Sequence, residues 1–177
     1  GTPYQGFWST SPNGCCRADN DMVMSEADDD ITVFVNSPGG HVESGDSIHD
    51  MIRFVKPRVK IVGTGCVASA GALIYAAPPL GDRFSLPNTR YMLHQPSGGV
   101  GGQASDISIE AEQIVKMRER LNQIFADQTG QPIETIGKDT DRNFWMTPEE
   151  AKEYGIIDEV IDQRDLVDNS GPIAAVK

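Results

Sequence analysis

The first sustained apolar run is ITVFV at residues 31–35, a β-branched and aromatic stretch bounded by Ser37-Pro38-Gly39-Gly40. That pattern predicts a buried strand ending in a turn. From residue 43 to 55 the apolar positions Ile48, Met51, Ile52 and Val55 recur at helical spacing, and Pro57 stops the helix. Residues 59–63 predict a second strand, followed by a glycine-rich turn and the small-residue stretch GCVASAGALI, with Ser69 at its centre. A strand, helix and strand of these lengths form a βαβ unit and predict a parallel sheet. Residues 70–77 predict a helix packed inside the fold.

Short strands are predicted at 83–86 and 91–93, separated by Pro87-Asn88. After His94 comes QPSGGVGGQ, with four glycines between Gly98 and Gly102, too flexible a composition for a core segment. A long amphipathic helix is predicted over about 106–128. Its stripe is Ile107, Ala111, Ile114, Met117, Leu121, Ile124 and Phe125, and Gly130 is its stop. Residues 132–139 predict a further helix, Thr147-Pro148-Glu149-Glu150 the capped start of another, and 156–161 a closing strand. Residues 1–24 show neither periodicity and read as loop or disorder, and the polar tail 163–177 reads as mobile. The domain proper is therefore 25–162.

Composition narrows the function classes. The 177 residues are enough for one domain that buries about 70% of its unfolded surface without metal or disulfide support. Fifteen basic against 26 acidic residues give a net charge of −11, which argues against nucleic acid or an anionic membrane as partner and for proteins or peptides. Cys15, Cys16 and Cys66 make neither a disulfide framework nor a zinc spacing, so a reducing, cytoplasmic setting is expected. The apolar run 61–80 is broken by Gly63, Gly65, Gly71, Pro78 and Pro79 and reads as neither a membrane span nor a signal peptide.

Candidate chemistry centres on a serine and a histidine. Ser69 is either a core hydroxyl satisfied by a nearby carbonyl or a nucleophile. Of the three histidines, His49 falls on the polar side of the first predicted helix and reads as solvated. His94 ends an apolar strand beside the glycine-rich loop, where a general base would flank a substrate channel. Acyl transfer also needs backbone N–H donors for an oxyanion, and Gly39-Gly40 is either such a donor site or a plain turn.

The motifs FVNSPGG, GCVASAGA, LPNTRYMLHQPSGG, GQASDI and KDTDRNFWMTPEEAKEYGIIDEVI resemble, in order and spacing, the proteolytic subunits of the Clp protease family over about residues 26–161. The resemblance implies an α/β, crotonase-like fold of repeated β-β-α units with a parallel sheet and a protruding strand-helix handle. It implies a serine endopeptidase inside a barrel of two stacked seven-membered rings, fed with unfolded protein by a hexameric Clp ATPase. The subunit itself would need no cofactor or metal, ATP being used by the partner. Matched position by position, Ser69 is the nucleophile, His94 the base, and Gly40 and Ala70 the oxyanion donors. Gly39, His41 and Val42 on one side and Pro96, Ser97 and Gly98 on the other would hold an extended peptide as an added strand, through main-chain groups. Residues 98–106 and the long helix match the handle, and Asp141 and Arg142 match a charged pair linking ring contact to the active site. Phe34, Phe54, Phe84 and Leu86 fall on ATPase-docking positions, with a core role open for each.

Two departures stand out. The third triad position is Asn143, where the family usually has aspartate. Its amide oxygen can accept from an imidazole but supplies no charge to stabilise imidazolium. Slow turnover with Asn143, substitution by Asp139 or Asp141, and activation by a partner ring are the three outcomes open, and weak or partner-activated peptidase activity is expected. Residues 1–24 match none of the axial loop, strand and helix that open the family's chains. A catalytically silent ring subunit and a crotonase-like enzyme acting on an acyl-coenzyme A are the competing readings. Ser69 and His94 count against the latter.

Overall fold

Residues 5–9, 30–99 and 101–162 are described by the structure, a computed structural model. In chain order the elements are β1 (Gln5–Ser9), β2 (Ile31–Ser37), α1 (Val42–Phe54), β3 (Val59–Ala68), α2 (Ala70–Tyr75), β4 (Arg83–Ser85), β5 (Arg90–Leu93), α3 (Ala104–Thr129), α4 (Ile133–Asp139), β6 (Phe144–Met146), α5 (Pro148–Tyr154) and β7 (Glu159–Val160). Strands β1, β2, β3, β4 and β7 lie side by side and pair in parallel, as the βαβ reading predicts.

Strand β3 forks the sheet. Its first half, Ile61 to Gly63, pairs with β4, and its second half, Cys66 to Ala68, pairs with β5, which in turn pairs antiparallel with β6. A bulge makes the switch: between the pairs Val35–Gly63 and Ser37–Val67, β2 advances two residues while β3 advances four. Gly65 takes φ 61° there, a conformation that favours glycine, and the Asn36 side chain opposite accepts from the Cys66 N–H at 3.1 Å. The glycine-rich turn expected after Gly63 is thus a bulged continuation of the strand to Ala68.

The core fills one face of this sheet. Val33, Val35, Ile61 and Val67 from the strands meet Ile48 and Ile52 of α1 and the wholly buried α2. Close approach of the helices needs small residues: a Cβ on Gly45 would lie 3.2 Å from Ala70 Cβ, and one on Gly71 only 2.8 Å from Ser37 Cβ. A second, smaller cluster joins Val62, Phe84 and Ile161, with Phe34 against it. Phe84 is therefore a core residue within this chain, whereas Phe54 is 80% exposed. Arg83 is fully buried, its guanidinium donating to the carbonyls of Pro78 (2.7 Å) and Gln128 (2.9 Å) and to the Gln128 side chain. Burial lowers its pKa, and the three acceptors offset the desolvation of the charge.

Helix α3 packs by its carboxyl half alone. Leu121, Phe125 and Ala126 are buried, and Gly130 ends the helix in the left-handed conformation. Toward the other end Ile107, Ile109 and Val115 stand exposed, while Ile114 is half-buried beside Gly98. The α5 cap is as predicted, with a reciprocal Thr147–Glu150 capping box.

Three expectations are corrected. The loop expected over residues 1–24 contains the strand β1, made by backbone pairing with the edge of β2, which leaves no side-chain periodicity to read. The rest of that stretch and the tail from residue 163 lie outside the described residues. His49 is not solvated. It is 6% exposed, on the same face of α1 as Gly45, Ile48 and Ile52, with Nδ1 3.2 Å from Asp50 and no partner for Nε2 among the described residues. The closing strand shrinks to the two residues of β7. Among the described residues no helix is long and apolar enough to cross a membrane.

Candidate active site

The site grows out of strand register at the fork. In the β5–β6 ladder Tyr91 faces Met146, Met92 faces Trp145 and Leu93 faces Phe144, so the next opposed pair outward is His94 and Asn143. Directly opposed residues of an antiparallel pair project to the same face, which brings these two side chains together. On its other side β5 pairs with β3 through Cys66–Arg90, Val67–Tyr91 and Ala68–Met92, and the Ser69 N–H continues the contact to the Met92 carbonyl at 2.9 Å. Three adjacent strand ends thus deliver Ser69, His94 and Asn143 to one place.

The contacts follow. His94 Nε2 lies 2.7 Å from Ser69 Oγ, and His94 Nδ1 lies 3.1 Å from Asn143 Oδ1. With the Asn143 oxygen toward the ring, the matching tautomer carries its proton on Nδ1 and leaves Nε2 to accept from the serine hydroxyl. Ser69 has φ 55° and ψ −122°, and is the one non-glycine residue with positive φ among the described residues. Holding a serine there costs roughly 1–3 kcal/mol, strain of the kind that gathers at functional sites. Ser69 also stands at the N-cap of α2 without its side chain capping the helix, so the hydroxyl is committed to His94 instead.

Gly39 is pressed against the serine. A Cβ at Gly39 would lie 2.6 Å from Ser69 Cβ, and its φ of 105° excludes ordinary side chains. Its own N–H donates to Ser37 Oγ at 3.2 Å. Gly40 faces open space, and Ala70 begins α2, where the N–H has no intrahelical acceptor.

The remaining sequence-derived positions are distributed as follows. His41 is exposed at the start of α1 and 3.5 Å from the Glu43 carboxylate, while Val42 packs against the core. Pro96 is half-buried and Ser97 and Gly98 are exposed in the segment after His94, which belongs to no helix or strand. Asp141 and Arg142 are both exposed, but Asp141 contacts Arg118 at 3.4 Å rather than its neighbour. Neither candidate carboxylate replaces Asn143: Asp139 accepts from the Tyr154 hydroxyl at 2.9 Å, and Asp141 is held by Gln95 and Arg118. Burial and the Asp139 contact together push the Tyr154 hydroxyl well above its ordinary range.

Two residues around the site escaped the sequence reading. Gln95, adjacent to His94 in the quoted HQP motif, donates from its backbone to Thr140 at 2.6 Å and from its side chain to the Asp141 carbonyl at 2.7 Å. Tyr91, two residues before Leu93, lies buried edge-on to Tyr75 with its hydroxyl over Gly63, and burial pushes its pKa up to about 12. The signal for Gln95 was its position in the motif; for Tyr91 there was none beyond its place in an apolar strand. No group of three or more His, Cys, Asp or Glu is placed to hold a metal among the described residues.

The family model described as Clp protease matches residues 21–164. The chain is 65% identical over 139 residues to the ATP-dependent Clp protease proteolytic subunit 3 of Rhizobium meliloti, covering 78% of this chain and 71% of that one. It is 58% identical over 140 residues to proteolytic subunit 2 of Pseudomonas aeruginosa, covering 79% and 70%. Among solved structures it resembles ClpP1 from Listeria monocytogenes at 57% identity and a TM-score of 0.72, and an asparagine-to-aspartate mutant of that protein at 0.75. Each comparison covers 82% of this chain and 80% of the other.

Proposed function

The chain belongs to the Clp protease family, and from that premise we propose that it is a serine endopeptidase subunit in which Ser69 attacks the scissile carbonyl of an unfolded polypeptide. The observation that carries the reading is the continuous contact from Ser69 Oγ through His94 to Asn143 Oδ1. His94 Nε2 takes the serine proton as the Oγ–carbon bond forms, and the negative charge passes to the carbonyl oxygen. The N–H groups of Gly40 and Ala70 stabilise that oxyanion. His94 then gives the proton to the leaving amine as the carbon–nitrogen bond breaks. Water, deprotonated by the same imidazole, releases the acyl group from Ser69.

Asn143 weakens this machinery in two ways. It holds Nδ1–H by a neutral hydrogen bond and adds no charge against the imidazolium. Its Nδ2 also meets no acceptor among the described residues that would stop the amide turning over. An inverted amide would donate to Nδ1, move the ring proton to Nε2 and disable the base. In an unrelated serine protease scaffold, loss of the aspartate charge costs about 10⁴ in rate, which sets the scale. The reading is therefore a slow peptidase, or one raised by a partner ring.

The extended peptide would lie between residues 39–42 and 96–98, held by main-chain groups with little sequence selectivity. The relatives are named as subunits of ATP-dependent proteases. For this chain the corresponding proposal is assembly into stacked seven-membered rings supplied by a Clp-type ATPase in the cytoplasm, with no cofactor in the subunit itself. The exposed amino half of α3 and Phe54 support surfaces for such contacts.

The test is a fluorophosphonate probe on the full chain, with intact mass and peptide mapping, beside hydrolysis of a fluorogenic peptide. Label on Ser69 that is lost in Ser69→Ala is expected. An assembled, folded protein that neither takes the label nor cleaves peptide would favour the silent ring subunit.

A further inference from the structure

The β5–β6 ladder ends at Leu93–Phe144, so the two side chains that must stay aligned, His94 and Asn143, stand one step beyond it. What secures them is Gln95. Its backbone N–H donates to the Thr140 carbonyl at 2.6 Å, and its Nε2 donates to the Asp141 carbonyl at 2.7 Å and lies 3.3 Å from Asp141 Oδ1. Both tethers join the residue next to His94 with residues two and three positions before Asn143. Thr140 is itself fixed, its hydroxyl 2.8 Å from the Ile136 carbonyl and 3.0 Å from Asn122 of α3.

We infer that Gln95 is a positioning residue that clamps the two chain segments of the site, and that this clamp matters because the His94–Asn143 hydrogen bond is neutral. An aspartate would draw the imidazole by charge and tolerate some looseness. An asparagine offers only a directional bond, which weakens steeply with misalignment, so its alignment must come from elsewhere. Gln95 touches neither the reacting atoms nor the serine. It acts by keeping Nδ1 in line with Oδ1, and hence Nε2 in line with Ser69 Oγ.

This rests on the roles proposed above for Ser69, His94 and Asn143, and a double-mutant cycle separates the two. Gln95→Met keeps the length of the side chain and removes its donor. Peptide hydrolysis and the rate of fluorophosphonate labelling are measured for the full chain, for Gln95→Met, for Asn143→Asp and for the double variant. The expected result is a loss in kcat of about tenfold in the parent, with KM within about twofold, and a loss below about threefold in the Asn143→Asp background. Gln95→Lys, which keeps a donor within reach of the Asp141 carbonyl, is expected to recover most of the rate. Gln95→Ala is carried through the same cycle, so a folding defect peculiar to methionine does not decide the result. Equal losses in both backgrounds, a change in KM alone, or no loss in the parent would overturn the clamp while leaving the peptidase reading intact. A parent that neither cleaves nor takes the label would overturn both.

Discussion

The forked end of the sheet and the amino half of α3 are opposite solutions to placing side chains. At the fork, each candidate site residue follows or precedes a strand whose register is fixed on at least one side, and the small residues Gly39, Ala70 and Gly71 let the backbones close around Ser69. On α3, Ile107, Ile109 and Val115 have helical order but stand exposed among the described residues. The fork is over-determined by its own sequence, and the helix is complete only as a shape. Chemistry that depends on tenths of an ångström sits on the first, and the second is left to whatever surface meets it.

Removing the proposed nucleophile tests the sharper half of that contrast. Ser69→Ala is expected to abolish fluorophosphonate labelling and lower peptide cleavage by about 10²-fold, since a triad that lacks its aspartate has already given up most of its rate. The melting temperature should change little, since the backbone strain at this position is common to serine and alanine and no apolar contact is removed. A surviving rate within tenfold of the parent would assign the activity to another residue.

The next test compares the two halves of α3. Leu121→Ala should destabilise the fold by about 2–5 kcal/mol in urea unfolding, as burial of that side chain requires. Ile109→Ser should change stability by no more than about 0.5 kcal/mol in the isolated chain, yet lower the native mass of any assembly. Equal effects of the two substitutions on unfolding would mean the amino half is packed after all.

A smaller effect comes from Tyr91 in the floor of the fork. Its folded pKa of about 12 lies above the ordinary tyrosine value, so between pH 10 and 12 the unfolded chain releases a proton that the folded chain retains. Stability should therefore be full below pH 10 and fall by roughly 2–3 kcal/mol as pH rises through 12. The hydroxyl finds no hydrogen-bond partner among the described residues, so Tyr91→Phe should leave the melting temperature at pH 7 unchanged or raised and flatten the alkaline decline. An undiminished decline in Tyr91→Phe would place the cause elsewhere.

The last prediction asks how far register alone can carry the site. Asn143→Asp should raise peptide cleavage at least about tenfold, a gain of about 1.4 kcal/mol in transition-state stabilisation. No increase would mean that the amide is not what limits the rate.

Much of this was legible because it is local. The β2–α1–β3 unit, the Gly130 stop and the Thr147 cap each follow from residues close in sequence. Ser69 and His94 were legible as candidates from their surroundings, but Asn143 joined them only through resemblance, since no periodicity links residues 49 positions apart. The fork was not legible. Glycines in the β3 run read as a turn, and only the Asn36 contact across the bulge turns them into a continued strand. His49 was misplaced because a polar side chain was taken to mark a polar face, whereas the positions of Gly45, Ile48 and Ile52 already defined a buried one. The α3 stripe was legible as a pattern, although amphipathicity tells which side is apolar and not what lies against it.

The three opposed pairs of β5 and β6 also act as a counting device. Between His94 and Asn143 the chain makes its longest excursion, through α3 and α4, and then returns to a clasp three residues deep. Lengthening or shortening α3 by whole turns would leave the clasp shut. Inserting a single residue within 144–146 would turn Asn143 to the far face of the strand and part it from the imidazole. Length variation in such chains is therefore cheap in the excursion and prohibited in the clasp, although the excursion is the larger and more exposed of the two.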